Sequence, residues 1–164
     1  MKILDNRTSK HNYYLGIADA VLERSTCLRR KYGALIVRND EIISTGYNGA
    51  PRGRKNCSDI GVCTRQTLNI PSGERYELCR SVHAEANAII SASRRDMIGA
   101  TLYLVGRDAR TNELLPDAMS CSMCKRQVIN AGIHEVVIRT GADTYRIIPV
   151  TEWIEHDDTI FYSL

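Results

Sequence analysis

No apolar run in this 164-residue chain approaches the length of a membrane span, and residues 1–12 are polar and mixed in charge, unlike a secretion signal. The expected compartment is therefore the cytoplasm, with no membrane partner. Stacking aromatics are scarce, with one Trp and one Phe, and the net charge is only +3. Both facts argue against a broad face for RNA or single-stranded DNA. The mild positive charge fits a small phosphorylated ligand without calling for a nucleic acid. Internal repeats, low-complexity tracts and linkers are also missing, and 164 residues are too few for two ordinary domains. One domain spanning 1–164 is expected. Its 43% apolar and 25% charged residues are those of a soluble globular protein.

Cysteine, by contrast, is well supplied, with six in the chain. In a reducing compartment these are better read as metal ligands than as disulfides. Residues 83–95 contain no Gly or Pro and are rich in Ala and Ile, which predicts a buried helix carrying His83 and Glu85 in its first turn. Cys121 and Cys124 are three apart and share one face of a second helix if it starts near Ser120, a good N-cap residue. One imidazole and two thiolates make three ligands. They leave the fourth position of a tetrahedral zinc open for water, as a catalytic site requires. Glu85 is not needed as a ligand and is free to shuttle protons. A binding protein using zinc only structurally would have no use for that carboxylate and would lack its fourth ligand.

The His83-Ala84-Glu85 and Cys121-Ser122-Met123-Cys124 pair resembles the signature of the zinc-dependent nucleobase deaminases. His83-Ala84-Glu85-Ala86-Asn87-Ala88-Ile89 is similar to the deoxycytidylate (dCMP) deaminase form of the first half. Gly46-Tyr47-Asn48-Gly49-Ala50-Pro51-Arg52-Gly53, Ser25-Thr26-Cys27 and Tyr32-Gly33-Ala34 resemble N-terminal motifs of the same subfamily, so the likeness covers roughly residues 12–140. It implies a three-layer α/β fold with a mixed sheet of about five strands flanked by helices. It also implies conversion of dCMP to dUMP and ammonia with catalytic Zn2+, in a homo-oligomer between dimer and hexamer, with dCTP and dTTP as effectors together with Mg2+. For individual residues it implies a sugar contact at Asn48 and nucleotide contacts at Ala84, Arg94, Ser120 and Tyr145, the last by stacking on the pyrimidine; complementing a helix C-terminal dipole is the alternative for Arg94, and packing on the sheet the alternative for Tyr145. Arg52, Arg54 and Lys55 are candidates for holding a substrate or effector phosphate. Solvated side chains are the plain alternative.

Taken in order, residues 12–24 have the spacing of an amphipathic helix. Residues 33–38 and 41–46 read as a hairpin around Asn39-Asp40. Residues 56–82 have little periodicity but contain Cys57, Cys63 and Cys79, which with Cys27 make four thiols outside the catalytic set. A second, structural Zn2+ held by these four would pin that long loop, and relatives carry such a site in comparable places. Free buried thiols are the alternative. Residues 100–105 read as a central strand parallel to a later one, 121–131 as the second site helix stopped by Gly132, and 135–139 and 145–150 as the last strands. The tail with Trp153, Ile154, Ile160 and Phe161 has apolar surface to dock.

The sequence departs from the resemblance at residues 106–120, an insertion beside the site in which Ser120 replaces the usual Pro. That leaves substrate choice open among dCMP, dCTP and a modified pyrimidine nucleotide, with a nucleic-acid base a remoter possibility.

Overall fold

The computed structural model describes residues 6–157 together with 159 and 160. Helix α1 (Lys10–Val21) opens the fold. Ser9 caps it by accepting the Asn12 N–H, and a 3-10 turn at Leu22–Arg24 extends it. Strands β1 (Arg30–Arg38) and β2 (Glu41–Tyr47) form the expected hairpin. Its two turn residues, Asn39 and Asp40, both take positive φ, 51° and 61°, a conformation for which Asn and Asp carry the smallest penalty among side-chain-bearing residues.

The segment from 48 to 82 has only short helical turns, α2 (Cys57–Ile60) and α3 (Thr64–Thr67) and a 3-10 turn at Tyr76–Leu78. After it come α4 (Ala84–Ile90), α5 (Arg94–Met97), β3 (Thr101–Asp108), α6 (Ser122–Ala131), β4 (Glu135–Arg139), β5 (Tyr145–Pro149) and α7 (Val150–Glu155). The strands form one mixed sheet in the order β2-β1-β3-β4-β5, in which only β3 and β4 run parallel, joined across α6. The expected fold class is the observed one. Among the described residues no helix is long and apolar enough to cross a membrane.

Strand periodicity divides the core in two. Ala34, Ile36, Leu102, Leu104, Val136 and Ile138 point to the face covered by α4 and α6. Their neighbours Leu35, Val37, Tyr103, Val105 and Val137 point to the other, where α1 lays Tyr14, Leu15, Ala18 and Leu22. Central strands buried on both faces read as unbroken apolar runs, as 34–37 and 102–105 do.

Several boundaries differ from expectation. The single helix expected over 83–95 is two: α4 ends at Ile90, and Ser93 caps α5 by accepting the Asp96 N–H. A Ser-Ala-Ser break competes for backbone hydrogen bonds that a continuous helix would need. His83 is the N-cap of α4 rather than part of its first turn, and Cys121, not Ser120, caps α6. The apolar run at 145–150 is cut one residue short, because α7 starts at Val150 after Pro149. Trp153 on α7 packs against the core. Phe161 lies outside the described residues.

The insertion at 106–120 is not a free loop. Strand β3 continues three residues past Val105 and Arg107 bridges back to Leu114. The Arg107 guanidinium holds Asp19 of α1 with two hydrogen bonds, at 2.6 and 2.8 Å.

Candidate metal centre and active site

Two helix starts meet beneath one end of the sheet. His83 is placed by the step into α4, which a short antiparallel bridge secures: Val82 N–H donates to the Gly49 carbonyl (2.8 Å) and Gly49 N–H to the Val82 carbonyl (3.2 Å). The Asn87 amide ties α4 to the end of β2 by donating to the Tyr47 carbonyl at 2.8 Å. Cys121 and Cys124 arrive from the start of α6.

His83 Nδ1 lies 3.5 Å from Cys121 Sγ and 3.4 Å from Cys124 Sγ. Tetrahedral zinc with bonds of about 2.3 Å to sulfur and 2.0 Å to nitrogen would set each sulfur roughly 3.5 Å from the nitrogen, so both nitrogen–sulfur distances match what the metal needs. Among the described residues this is the one group of three such ligand atoms that lie within 4.8 Å of one another.

The proton distribution suits a metal as well. Cys121 is pushed down to about 4, chiefly by the hydrogen bond from the Cys124 thiol and against the effect of burial. The Cys124 thiol, giving that bond and itself buried, is pushed up. His83 is raised to about 10 by its bonds to Cys121 and then Cys79. Cysteine and histidine bind a metal in their deprotonated forms. Metal binding here would therefore release protons from these groups.

Glu85 is 5% exposed on the first turn of α4, and its carboxyl abuts Cys124 and Ser120. Burial raises its pKa, while backbone and Ser120 contacts pull the other way. A carboxyl poised above its usual range beside a three-ligand metal site can both take and return protons.

A profile described as the cytidine and deoxycytidylate deaminase zinc-binding region matches residues 8–140. The chain belongs to this family. The deoxycytidylate deaminase of Mycobacterium phage D29 is 39% identical over 137 residues, covering 80% of this chain and 95% of that protein. The deoxycytidylate deaminase of Schizosaccharomyces pombe is 35% identical over 135 residues, 82% of this chain but 38% of its own length. Among solved structures, the apo dCMP deaminase of cyanophage S-TIM5 superposes with a TM-score of 0.52 at 26% identity, covering 79% of this chain and 81% of that one. A cytidine deaminase from Burkholderia pseudomallei shares the fold, with a TM-score of 0.56 at 20% identity, over 88% of this chain and 95% of its own.

Within this deaminase fold the expected site residues separate. His83, Glu85, Cys121 and Asn48 line one cavity. The Asn48 amide is largely engaged in holding the walls: its oxygen accepts from Ser25 Oγ (2.6 Å) and Tyr32 N–H (2.8 Å), and its nitrogen donates to the Arg30 carbonyl (2.9 Å). Ala84 and Ser120 are buried next to the ligands, and the Ser120 hydroxyl has no hydrogen bond of ordinary geometry.

Three of the expected groups lie outside this cavity. Tyr145 does not face the cavity: β5 turns it to the α1 side, where its ring packs 5.0 Å from His11. Arg94, moved to the start of α5 by the helix break, donates to the Asn130 carbonyl at 2.8 Å and lies outside the cavity. Arg52, Arg54 and Lys55 are exposed and likewise outside it.

The sequence reading missed Arg29, Arg30, Tyr32, Arg65, Tyr76 and Met119, all of which line the cavity. Cys27, Cys63 and Cys79 also border it, and Cys57 is buried nearby. No three of these four sulfurs come within 4.8 Å of one another.

Proposed function

We propose that this chain is a zinc-dependent hydrolase that converts dCMP to dUMP and ammonia, with His83, Cys121 and Cys124 holding the metal and Glu85 moving the protons. The observation that carries this is the His83–Cys121–Cys124 group, whose two nitrogen–sulfur distances suit a tetrahedral zinc, with the buried Glu85 carboxyl against it. When bound, zinc supplies the Lewis acidity that makes a water nucleophilic near neutral pH. Glu85 takes a proton from the attacking water and delivers it to N3 of the cytosine as the new C4–O bond forms. It then carries the hydroxyl proton to the amine, so that the C4–N bond breaks, ammonia leaves and a carbonyl remains. Asn48, with one amide hydrogen unused, is the proposed contact to the sugar.

A second, structural zinc at Cys27, Cys57, Cys63 and Cys79 is part of the proposal. Its support is that Cys27 Sγ accepts the Arg29 N–H (3.5 Å) and Cys79 Sγ the Ser81 N–H (3.4 Å), a bond that stabilises a thiolate two residues upstream. Binding would draw the 56–82 loop inwards. We also propose homo-oligomerisation, for which the exposed Ile90 and Ile98 beside α4 and α5 offer apolar surface. Effector binding by dCTP or dTTP with Mg2+ near Arg52, Arg54 and Lys55, and a cytoplasmic location in which all six cysteines remain thiols or thiolates, complete the reading.

Ammonia release from the zinc-loaded protein with dCMP, dCTP, deoxycytidine and CMP tests it. Preference for dCMP is the expected result. Silence on all four would overturn it.

A further inference from the structure

Arg65 is the unusual residue of the cavity wall. It stands in α3 and is 6% exposed, yet no carboxylate lies within ion-pair distance of its guanidinium among the described residues. Nε and Nη2 donate to the Glu74 carbonyl at 3.1 and 2.7 Å, and Nη2 also to the Pro71 carbonyl at 3.0 Å. Among the described residues Nη1 makes no such bond. The guanidinium lies 4.5 Å above the centre of the Tyr76 ring, and that ring meets His83 edge-on with centroids 5.1 Å apart.

A buried guanidinium without a counter-ion is costly, and carbonyl dipoles and one aromatic face offset only part of that cost. The rest of the lining deepens the imbalance: Arg29 and Arg30 share the wall, and Glu85, at the metal end, is its single carboxylate. The position is also telling. The charge sits one aromatic ring away from the metal-ligating imidazole, and in a nucleotide the phosphate lies a sugar and a ring away from the reacting carbon.

We propose that Arg65 is the specificity residue that reads the 5′-phosphate of the nucleotide, donating a charge-assisted hydrogen bond from its Nη1 edge. This rests on reading the cavity as a deoxynucleotide site. The carbonyl bonds to residues 71 and 74 fix the orientation of the fork, and Tyr76 holds it at its distance from the metal.

The test compares binding of dUMP and deoxyuridine, which differ only in the phosphate, to zinc-loaded wild-type protein and Arg65→Met by calorimetry. The dUMP preference is expected to fall about 10- to 100-fold, the range for losing a hydrogen bond to a charged group. An unchanged preference overturns the proposal, including the case in which both ligands weaken in step, because Arg65 would then only staple the loop. If Arg65→Met does not fold, Arg65→Lys, which keeps the charge but loses the fork, takes its place. It is expected to lower the preference about 10-fold, with an unchanged preference again decisive against. Turnover of dCMP by the wild type is measured alongside. Its absence would overturn the enzymatic reading, while the binding preference would still decide the role of Arg65.

Discussion

Gly46 is where the sheet presses hardest on the helix that carries the site. A Cβ added there would lie 2.2 Å from the Ala84 carbonyl oxygen and 2.5 Å from the Ala88 nitrogen. Both are backbone atoms of α4, so no side chain can rotate aside. Gly46 has no positive φ, and the effect of Gly46→Ala is therefore steric rather than conformational. Ordinary van der Waals separation would require α4 to move out by roughly 1 Å or more. Overpacking of this kind costs about 1–3 kcal/mol. For a domain of this size that lowers the melting temperature by about 2–4 °C per kcal/mol. The Ala84 carbonyl lies between His83 and Glu85 in the chain, so the same shift displaces the metal ligand and the proton carrier. A displacement of 1 Å can reduce turnover about 100-fold. Differential scanning calorimetry and kcat/KM for dCMP, on zinc-loaded protein, read the two effects. A melting temperature within a degree of wild type together with full turnover would refute the tight contact between β2 and α4.

Gly16 offers the opposite case: it is exposed inside α1, and a methyl group added there would meet nothing within 4 Å, so Gly16→Ala should stabilise by about 0.5–1 kcal/mol in urea unfolding, and a loss would contradict this. Cys121→Ser should lower bound zinc by one equivalent and abolish turnover; retention of full zinc by elemental analysis would remove Cys121 from the ligand set. Asp40, bonded by Lys10 and Tyr14, has its carboxyl held below the usual range by those bonds, the one from Lys10 first. Its stabilising contribution is present above the unfolded carboxylate pKa and lost as pH falls through the folded one. Asp40→Asn should therefore be less stable than wild type at pH 7, with the gap closing in strong acid; a gap independent of pH would exclude the ionic origin.

Much of the site is legible in the sequence because its ligands are close together in the chain. His83 and Glu85 are two apart and Cys121 and Cys124 three apart, so local helix geometry nearly places them before any tertiary contact is known. The hairpin is legible for a similar reason, since Asn39-Asp40 tolerates the turn it must make. Arg65 is different: α3 is a single turn in a segment without apolar periodicity, and what buries the side chain is the return of residues 71–76 over it. Tyr145 shows the limit of resemblance, which carries a residue over without its register. A shift of one residue in register exchanges the two faces of a sheet, and the register of β5 is set by its pairing with β4, not by its own residues. Arg94 stands at the start of α5 because of the break at 91–93, where Ser91 ends one helix and Ser93 caps the next.

The most direct measurement is ammonia released from dCMP by the wild-type protein and Glu85→Gln, each carrying its measured complement of zinc. Turnover by the wild type and none by Glu85→Gln, at equal zinc content, is the predicted result. Equal turnover by both would contradict the role given to the Glu85 carboxyl, and a zinc-loaded wild type inert towards dCMP would contradict the reaction itself.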